Sequence, residues 1–162
     1  VIYQVNKCKK MGITVDGVGM ECHATLDEGP PVNEIETAIV NFARAGLKVH
    51  ISELDVDVLP SAWDYQGAEI DVNFDYSERI NPFKNALPSI VSAKLAERYR
   101  ELFELFVKHR DKIARVSFWG TTDDESWKND WPVVGRTNYP LLFDRSRSPK
   151  DAYFAVRNLK SQ

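Results

Sequence analysis

The stretch Leu47-Lys-Val-His-Ile-Ser-Glu-Leu-Asp55 decides how this chain is read. Alternation along an extended strand puts Leu47, Val49, Ile51, Glu53 and Asp55 on one face. Three apolar positions followed by two acidic ones describe a strand packed at its base and open at its tip, because an ionised carboxylate is costly to bury unpaired. Active-site strands are built this way, and a strand end running into solvent produces the same pattern.

The sequence on either side of this strand alternates helical and extended patterns. Upstream, Val1, Ile2, Val5, Cys8 and Met11 recur at helical spacing as far as Gly12, and Val15 to His23 reads as a strand carrying Gly17 and Gly19. Asn33 is placed to cap a helix whose stripe is Ile35, Ala38, Ile39 and Phe42 and whose end is Gly46. Downstream, residues 57–88 show little periodicity and scatter Trp63, Tyr65, Phe74, Tyr76 and Phe83 among polar residues, the mark of a functional loop. Leu95, Tyr99, Leu102 and Phe106 then define an amphipathic helix, Ile113 to Trp119 a third strand, and Pro149 with Ala152, Ala155, Val156 and Leu159 a closing helix. Strands alternating with helices predict an α/β fold with a parallel sheet, either doubly wound or part of a (β/α)₈ barrel. A complete barrel takes about 250 residues, so a chain of 162 is too short for one.

Composition narrows the function classes. With 43% hydrophobic and 28% charged residues, the chain suits a single soluble unit spanning 1–162. A formal charge of -3 gives no electrostatic attraction to nucleic acid or to an anionic membrane. No apolar run approaches the roughly 20 residues of a membrane-spanning helix, and Val1-Ile-Tyr-Gln4 lacks the basic start of a signal peptide. Cys8 and Cys22 have no metal-ligand spacing and read as buried thiols.

On the three strand tips, odd-numbered residues share a face: Glu21 and His23, Glu53 and Asp55, Ser117 and Trp119. His23 is placed to donate a hydrogen bond to an ionised Glu53 while Asp55 fixes the imidazole tautomer. Retaining glycosidases work with such groups: one carboxylate attacks the anomeric carbon, and a second, about 5 to 5.5 Å away, protonates the departing oxygen. Trp119 and Trp127 would wall a sugar cleft, indole faces matching the apolar faces of pyranose rings. Other candidates read more plainly. His50 has the opposite parity to Glu53 and is expected to pack toward a helix. His109 ends an amphipathic helix and suits its C-terminal cap. Asp123-Asp-Glu125 reads as a solvated loop without ligand spacing, so no metal and no cofactor is assigned. Trp63 and Trp131 fit either distal sugar subsites or loop anchors.

His50-Ile-Ser-Glu-Leu-Asp-Val56, with Gly17-Val-Gly-Met-Glu-Cys-His23 before it and Phe118-Trp-Gly-Thr-Thr-Asp-Asp-Glu-Ser-Trp127 after it, resembles glycoside hydrolase family 10. The resemblance continues through Asn81-Pro-Phe-Lys-Asn-Ala-Leu-Pro88, Leu95-Ala-Glu-Arg-Tyr99, Leu142-Phe-Asp144 and Ser148-Pro-Lys-Asp-Ala-Tyr153. It implies the C-terminal half of a retaining endo-β-1,4-xylanase, with this chain supplying strands six to eight and their helices to a (β/α)₈ TIM barrel. Glu53 matches the family's nucleophile, His23 the histidine that hydrogen-bonds it, and Asp55 that histidine's acidic partner. Trp119 and Trp127 match the tryptophans shaping the sugar subsites beside the scissile bond.

Two departures carry consequences. Glu21 stands where the family usually has glutamine, which removes an amide donor and places a possible negative charge near the nucleophile. That charge is expected to move the acid side of the pH profile upward. The family's acid/base glutamate belongs to a strand outside this sequence, so the implied partners are xylan, xylo-oligosaccharides and the N-terminal half of the same barrel. Unpaired sheet edges argue for such a larger enzyme. Polymer digestion implies a secreted, periplasmic or cell-surface address, and a non-catalytic xylan-binding fragment is the alternative.

Overall fold

The computed structural model describes residues 1–27, 29–66 and 77–159. Phe74 and Tyr76, part of the aromatic loop pattern, lie outside the described residues. In chain order the elements are α1 (Ile2–Lys10), β1 (Gly17–Met20), β2 (His23–Thr25), α2 (Val32–Arg44), β3 (Lys48–Asp57), α3 (Ser77–Ile80), α4 (Ser89–Lys108), β4 (Ile113–Phe118) and α5 (Asp151–Arg157). Short 3₁₀ turns at Trp63–Tyr65, Asp123–Glu125 and Trp127–Asn129 punctuate the connections. No described helix is long and apolar enough to cross a membrane.

All pairings in the sheet are parallel, with β3 at its centre. β1 and β2 flank β3 on one side, pairing with its base and its tip in turn, and β4 lies on the other. This is what β-helix-β connections produce, since parallel neighbours need a crossover and the crossover helix packs back on the sheet. The helix-facing side carries the core: Val49, Ile51, Leu54 and Val56 of β3 meet Ile35 and Ile39 of α2 and Leu95, Tyr99 and Leu102 of α4. Each such side chain contributes about 1.5–3 kcal/mol when fully buried. Gly46, at φ +77, turns the chain out of α2, a conformation open to glycine without steric cost.

The buried set Val49, Ile51, Leu54, Val56 departs from alternation, and the register gives the reason. Between the pairs Met20↔Ile51 and His23↔Asp55, the β1–β2 side advances three residues while β3 advances four. Between Ile51↔Val116 and Leu54↔Phe118, β3 advances three while β4 advances two. β3 therefore holds one extra residue relative to both neighbours, a bulge spanning Ser52 and Glu53. Below it, even positions face away from the helices; above it, odd ones do.

The bulge corrects two sequence expectations. Glu53 and Asp55 do not share a face with Val49 and Ile51, and His50 does not pack toward a helix. It pairs in register with Arg115 on the face opposite Ile51, with Nε2 3.0 Å from Ser117 Oγ. Other expectations shift locally. Pro31, not Asn33, occupies the N-cap position of α2, with extended backbone and no side-chain capping bond, and Asn33 lies inside the first turn. Pro149 lies two residues before α5, which starts at Asp151. Both cysteine thiols are free and only half-buried. Asp123 is fully buried, not solvated, because Lys150 Nζ sits 2.8 Å from its Oδ2 and the Leu141 N–H donates to its Oδ1 at 2.9 Å. His109 does end α4, and its Nε2 lies 2.6 Å from Glu36 Oε1.

Candidate active site

Beyond the bulge, the face away from the helices turns acidic, and His23 on β2 is the register partner of Asp55 on β3. Its Nδ1 lies 3.0 Å from Asp55 Oδ1 and its Nε2 3.2 Å from Glu53 Oε2. Carboxylates only accept hydrogen bonds, so an imidazolium here donates to both. Burial works against the charged ring, but the hydrogen bond and charge of Asp55, opposed by Lys128 and aided by Glu53, outweigh it and raise the His23 pKa.

Asp55 is fully buried yet well supplied with donors. Besides His23, Trp127 Nε1 donates to its Oδ2 at 2.9 Å, and Lys128 Nζ stands 3.6 Å from Oδ1. Lys128 also lies 3.8 Å from Asp57 Oδ2 and 4.8 Å over the Trp127 ring. The Trp127 and His23 rings meet at 5.0 Å. A buried carboxylate satisfied on every side is a rigid anchor, and here it holds both the imidazole and the indole.

Glu53 differs from Asp55 in exposure, its side chain retaining 27% of its accessible surface. Its backbone N–H donates to Glu21 O at 3.0 Å, where the chain breaks pairing between β1 and β2. Cys22, at that break, holds φ +64, a left-handed backbone rare outside glycine and common near functional sites. Burial pushes the Cys22 thiol up to about 11, with Arg98 opposing, so it stays protonated and unreactive at neutral pH.

Glu21 is exposed, and it offers one ligand atom, together with His23 and Glu53, in a group spanning at most 4.8 Å. Trp119 extends the pairing of β4 with β3, its N–H donating to Leu54 O at 3.1 Å, and the residue is 48% exposed. Ser117 lies below the tip, its hydroxyl bonded to His50 and Arg115. A groove of about 610 Å³ is lined by Glu21, His23 and Trp127 together with Trp63 and Trp131.

Residues 1–159 match the sequence model of Glycosyl hydrolase family 10. The chain belongs to that family. Among relatives, it is 39% identical over 150 residues to the endo-1,4-beta-xylanase A of Xylanibacter ruminicola, covering 93% of this chain and 40% of that protein. It is 36% identical to the endo-1,4-beta-xylanase of Geobacillus stearothermophilus, covering 96% of this chain and 42% of that protein. Among solved structures, a family 10 endoxylanase retrieved from a sugarcane soil metagenome superposes with a TM-score of 0.85 at 47% identity, over 96% of this chain and 42% of that one. A structure described as a mutant in complex with xylotriose aligns with a TM-score of 0.78 at 27% identity, over 98% of this chain and 43% of that one.

The chain thus spans about two fifths of the length of the curated relatives it matches. Its parallel strands and helices are the C-terminal part of the family's (β/α)₈ barrel, an incomplete barrel. The site lies at the C-terminal ends of the strands, as in barrels of this kind. No sequence pattern marks Lys128 or the supports behind it. Asn138 Nδ2 donates to Asp57 Oδ1 at 2.7 Å, and the Leu59 N–H reaches the same oxygen at 2.9 Å. These residues sit in connections without periodicity.

Proposed function

We propose that this chain carries the nucleophile of a retaining endo-β-1,4-xylanase. The observation supporting the reading best is the His23 bridge: one imidazole held by a buried acid at 3.0 Å and facing a second, accessible carboxylate at 3.2 Å. An accessible carboxylate held by a positioned donor suits attack on an anomeric carbon, and a buried one suits orientation. The named activities of the relatives point to xylan and xylo-oligosaccharides as substrates.

In this mechanism Glu53 Oε attacks the anomeric carbon, forming a glycosyl ester as the glycosidic bond breaks. A carboxylic acid from the remainder of the barrel protonates the leaving oxygen, then deprotonates the water that cleaves the ester, so configuration at the anomeric carbon is retained. His23 donates to Glu53 and aims it, Asp55 holds His23, and Trp127 fixes Asp55 while presenting an indole to the groove. The N-terminal part of the barrel is the partner that completes the site. Because polymeric xylan does not enter a cell, the complete enzyme is expected to be secreted or displayed at the surface.

Trapping tests the assignment. A 2-fluoro xyloside with a good leaving group, incubated with the complete enzyme, should leave a covalent mass increment on the peptide containing Glu53. An increment on another acidic residue, or xylan cleavage with inversion, refutes it.

A further inference from the structure

We infer that Glu21, His23 and Glu53 form a binding site for a divalent transition-metal cation of the zinc type, an inhibitor and not a resident cofactor. One carboxylate oxygen from each glutamate and one ring nitrogen of His23 all lie within 4.8 Å of one another. Zinc holds imidazole nitrogen and carboxylate oxygen at about 2.0–2.2 Å, which sets neighbouring ligands of a tetrahedral site roughly 3.3 Å apart. His23 Nε2 and Glu53 Oε2 already stand 3.2 Å apart. Glu21 is exposed, so rotation about its side-chain bonds closes the remaining distance without moving the backbone.

The strands position all three donors. The Glu53 N–H is bonded to Glu21 O at 3.0 Å, which brings the two glutamates side by side at the β1–β2 break. Cys22, at φ +64, turns the chain there, and His23 resumes pairing opposite Asp55. Asp55, fully buried, takes His23 Nδ1 at 3.0 Å while Trp127 Nε1 holds its other oxygen at 2.9 Å. Metal-binding histidines almost always donate one ring N–H to a carboxylate or a carbonyl and ligate through the other nitrogen. The Asp55 contact therefore directs Nε2 to the cation, and the Nε2 proton passes to water as its lone pair enters the coordination shell.

Chemistry selects the ion. An imidazole with two carboxylates suits zinc and its first-row neighbours, whereas magnesium and calcium prefer oxygen donors alone. The side chains of His23 and Glu53 are 22% and 27% exposed, enough for an ion to enter from the groove that Glu21 and His23 line and to keep water in its fourth position. Charge favours entry: the carboxylates of Glu21, Glu53 and Asp55 outnumber the ammonium of Lys128, whose Nζ stands 3.6 Å from Asp55 Oδ1. A Glu53 oxygen bound to the cation is no longer open to an anomeric carbon, so zinc arrests hydrolysis. That consequence rests on the hydrolase reading; the binding does not.

Calorimetric titration of the complete enzyme with zinc chloride tests the binding, and xylan hydrolysis in the same buffer tests the consequence. The parent should bind zinc, and magnesium chloride far more weakly. Loss of even a supporting residue costs a metal site about 10–100-fold in affinity. Glu21→Gln, nearly the same in shape but a poorer ligand, should therefore weaken zinc by about tenfold or more. It should raise by the same factor the zinc concentration that halves each form's own metal-free rate. Glu21→His, which supplies a different zinc ligand at the same position, should restore the affinity. Equal zinc affinity in the parent and Glu21→Gln, or magnesium binding as tight as zinc, overturns the site and leaves the hydrolase reading standing. Zinc bound through Glu21 with hydrolysis unslowed keeps the site and removes Glu53 from the chemistry.

Discussion

His23 and Asp55 are register partners on adjacent parallel strands, and the imidazole Nδ1 meets a carboxylate from which solvent is wholly excluded. Burial alone would lower the histidine's pKa, but Asp55 reverses the sign. A group whose folded pKa exceeds its unfolded one stabilises the fold fully below the unfolded value and loses that contribution as pH rises through the folded value. The melting-temperature gap between the parent and His23→Asn should therefore shrink as pH rises above 6.5, the histidine's ordinary value. A proton NMR titration should place His23 above that value, and Asp55→Asn should bring it down. A gap that widens with pH contradicts the assignment.

Glu53→Gln keeps the shape of the side chain and removes the nucleophile. In the complete enzyme, kcat on xylan should fall about 10⁴-fold or more with the circular dichroism spectrum unchanged. Glutamine still offers an oxygen toward His23 Nε2, so loss of folding is not the expected route. Reducing-sugar release from xylan provides the measurement, and substantial turnover by the variant removes Glu53 from its role.

The fold class and the identity of the tip residues were legible because period-two and period-3.6 patterns survive in α2, α4 and β4. The face of Glu53 was not. Continuous alternation from Leu47 groups it with Val49 and Ile51, but the extra residue at Ser52 and Glu53 reverses the parity, so Leu54 and Val56 take over the core positions. Glu53 and Asp55 still land opposite His23, because Glu21 and His23 keep their own parity across the break at Cys22. A bulge is set by tertiary pairing on both sides of the strand, and one strand's sequence does not display it. Buried polar partners such as Asp123 with Lys150 were hidden for a related reason: an acidic run looks solvated until the lysine 27 positions later is brought to it.

Trp127 offers a test of the second layer. Replacing it by phenylalanine keeps an aromatic surface in the groove but deletes the Nε1–H that donates to Asp55 Oδ2 at 2.9 Å. Leaving part of a buried carboxylate unsatisfied costs about 1–3 kcal/mol, which should appear as a lower denaturant midpoint with an unchanged slope. The loosened Asp55 no longer fixes His23, so kcat should fall more than KM rises. A variant altering KM alone would mean that the indole serves only as a sugar wall.

Gly120 follows β4 and holds φ +142, and a methyl group there would sit 2.8 Å from Leu141 Cδ1. Both the backbone and the neighbouring side chain resist any larger residue. Gly120→Ala should lower stability by about 1–3 kcal/mol and displace the adjacent Trp119, since relief requires either Leu141 or the chain after β4 to move. Thermal unfolding checks the first effect and indole fluorescence the second.

The Asp123–Lys150 pair yields the sharpest stability prediction, because each partner is costly without the other. Lys150 Nζ spends its donors on Asp123 Oδ2 at 2.8 Å, Tyr139 O at 2.8 Å and Leu141 O at 2.7 Å. Burial raises the Asp123 pKa and lowers that of Lys150, and the attraction between them opposes both shifts. Lys150→Met deletes the cation and strands a carboxylate with no accessible surface, a change that costs about 3–5 kcal/mol. Protonating Asp123 removes the stranded charge, so the deficit should be largest near neutral pH and shrink as pH falls toward the acid range. Asp123→Asn on top of Lys150→Met should recover part of the loss, because the amide oxygen still accepts from the Leu141 N–H without carrying charge. Denaturant midpoints of the parent, the single variant and the double variant, measured across pH, decide the matter: a deficit independent of pH, or a double variant weaker than the single one, would show that lost packing around Lys150 outweighs the buried charge.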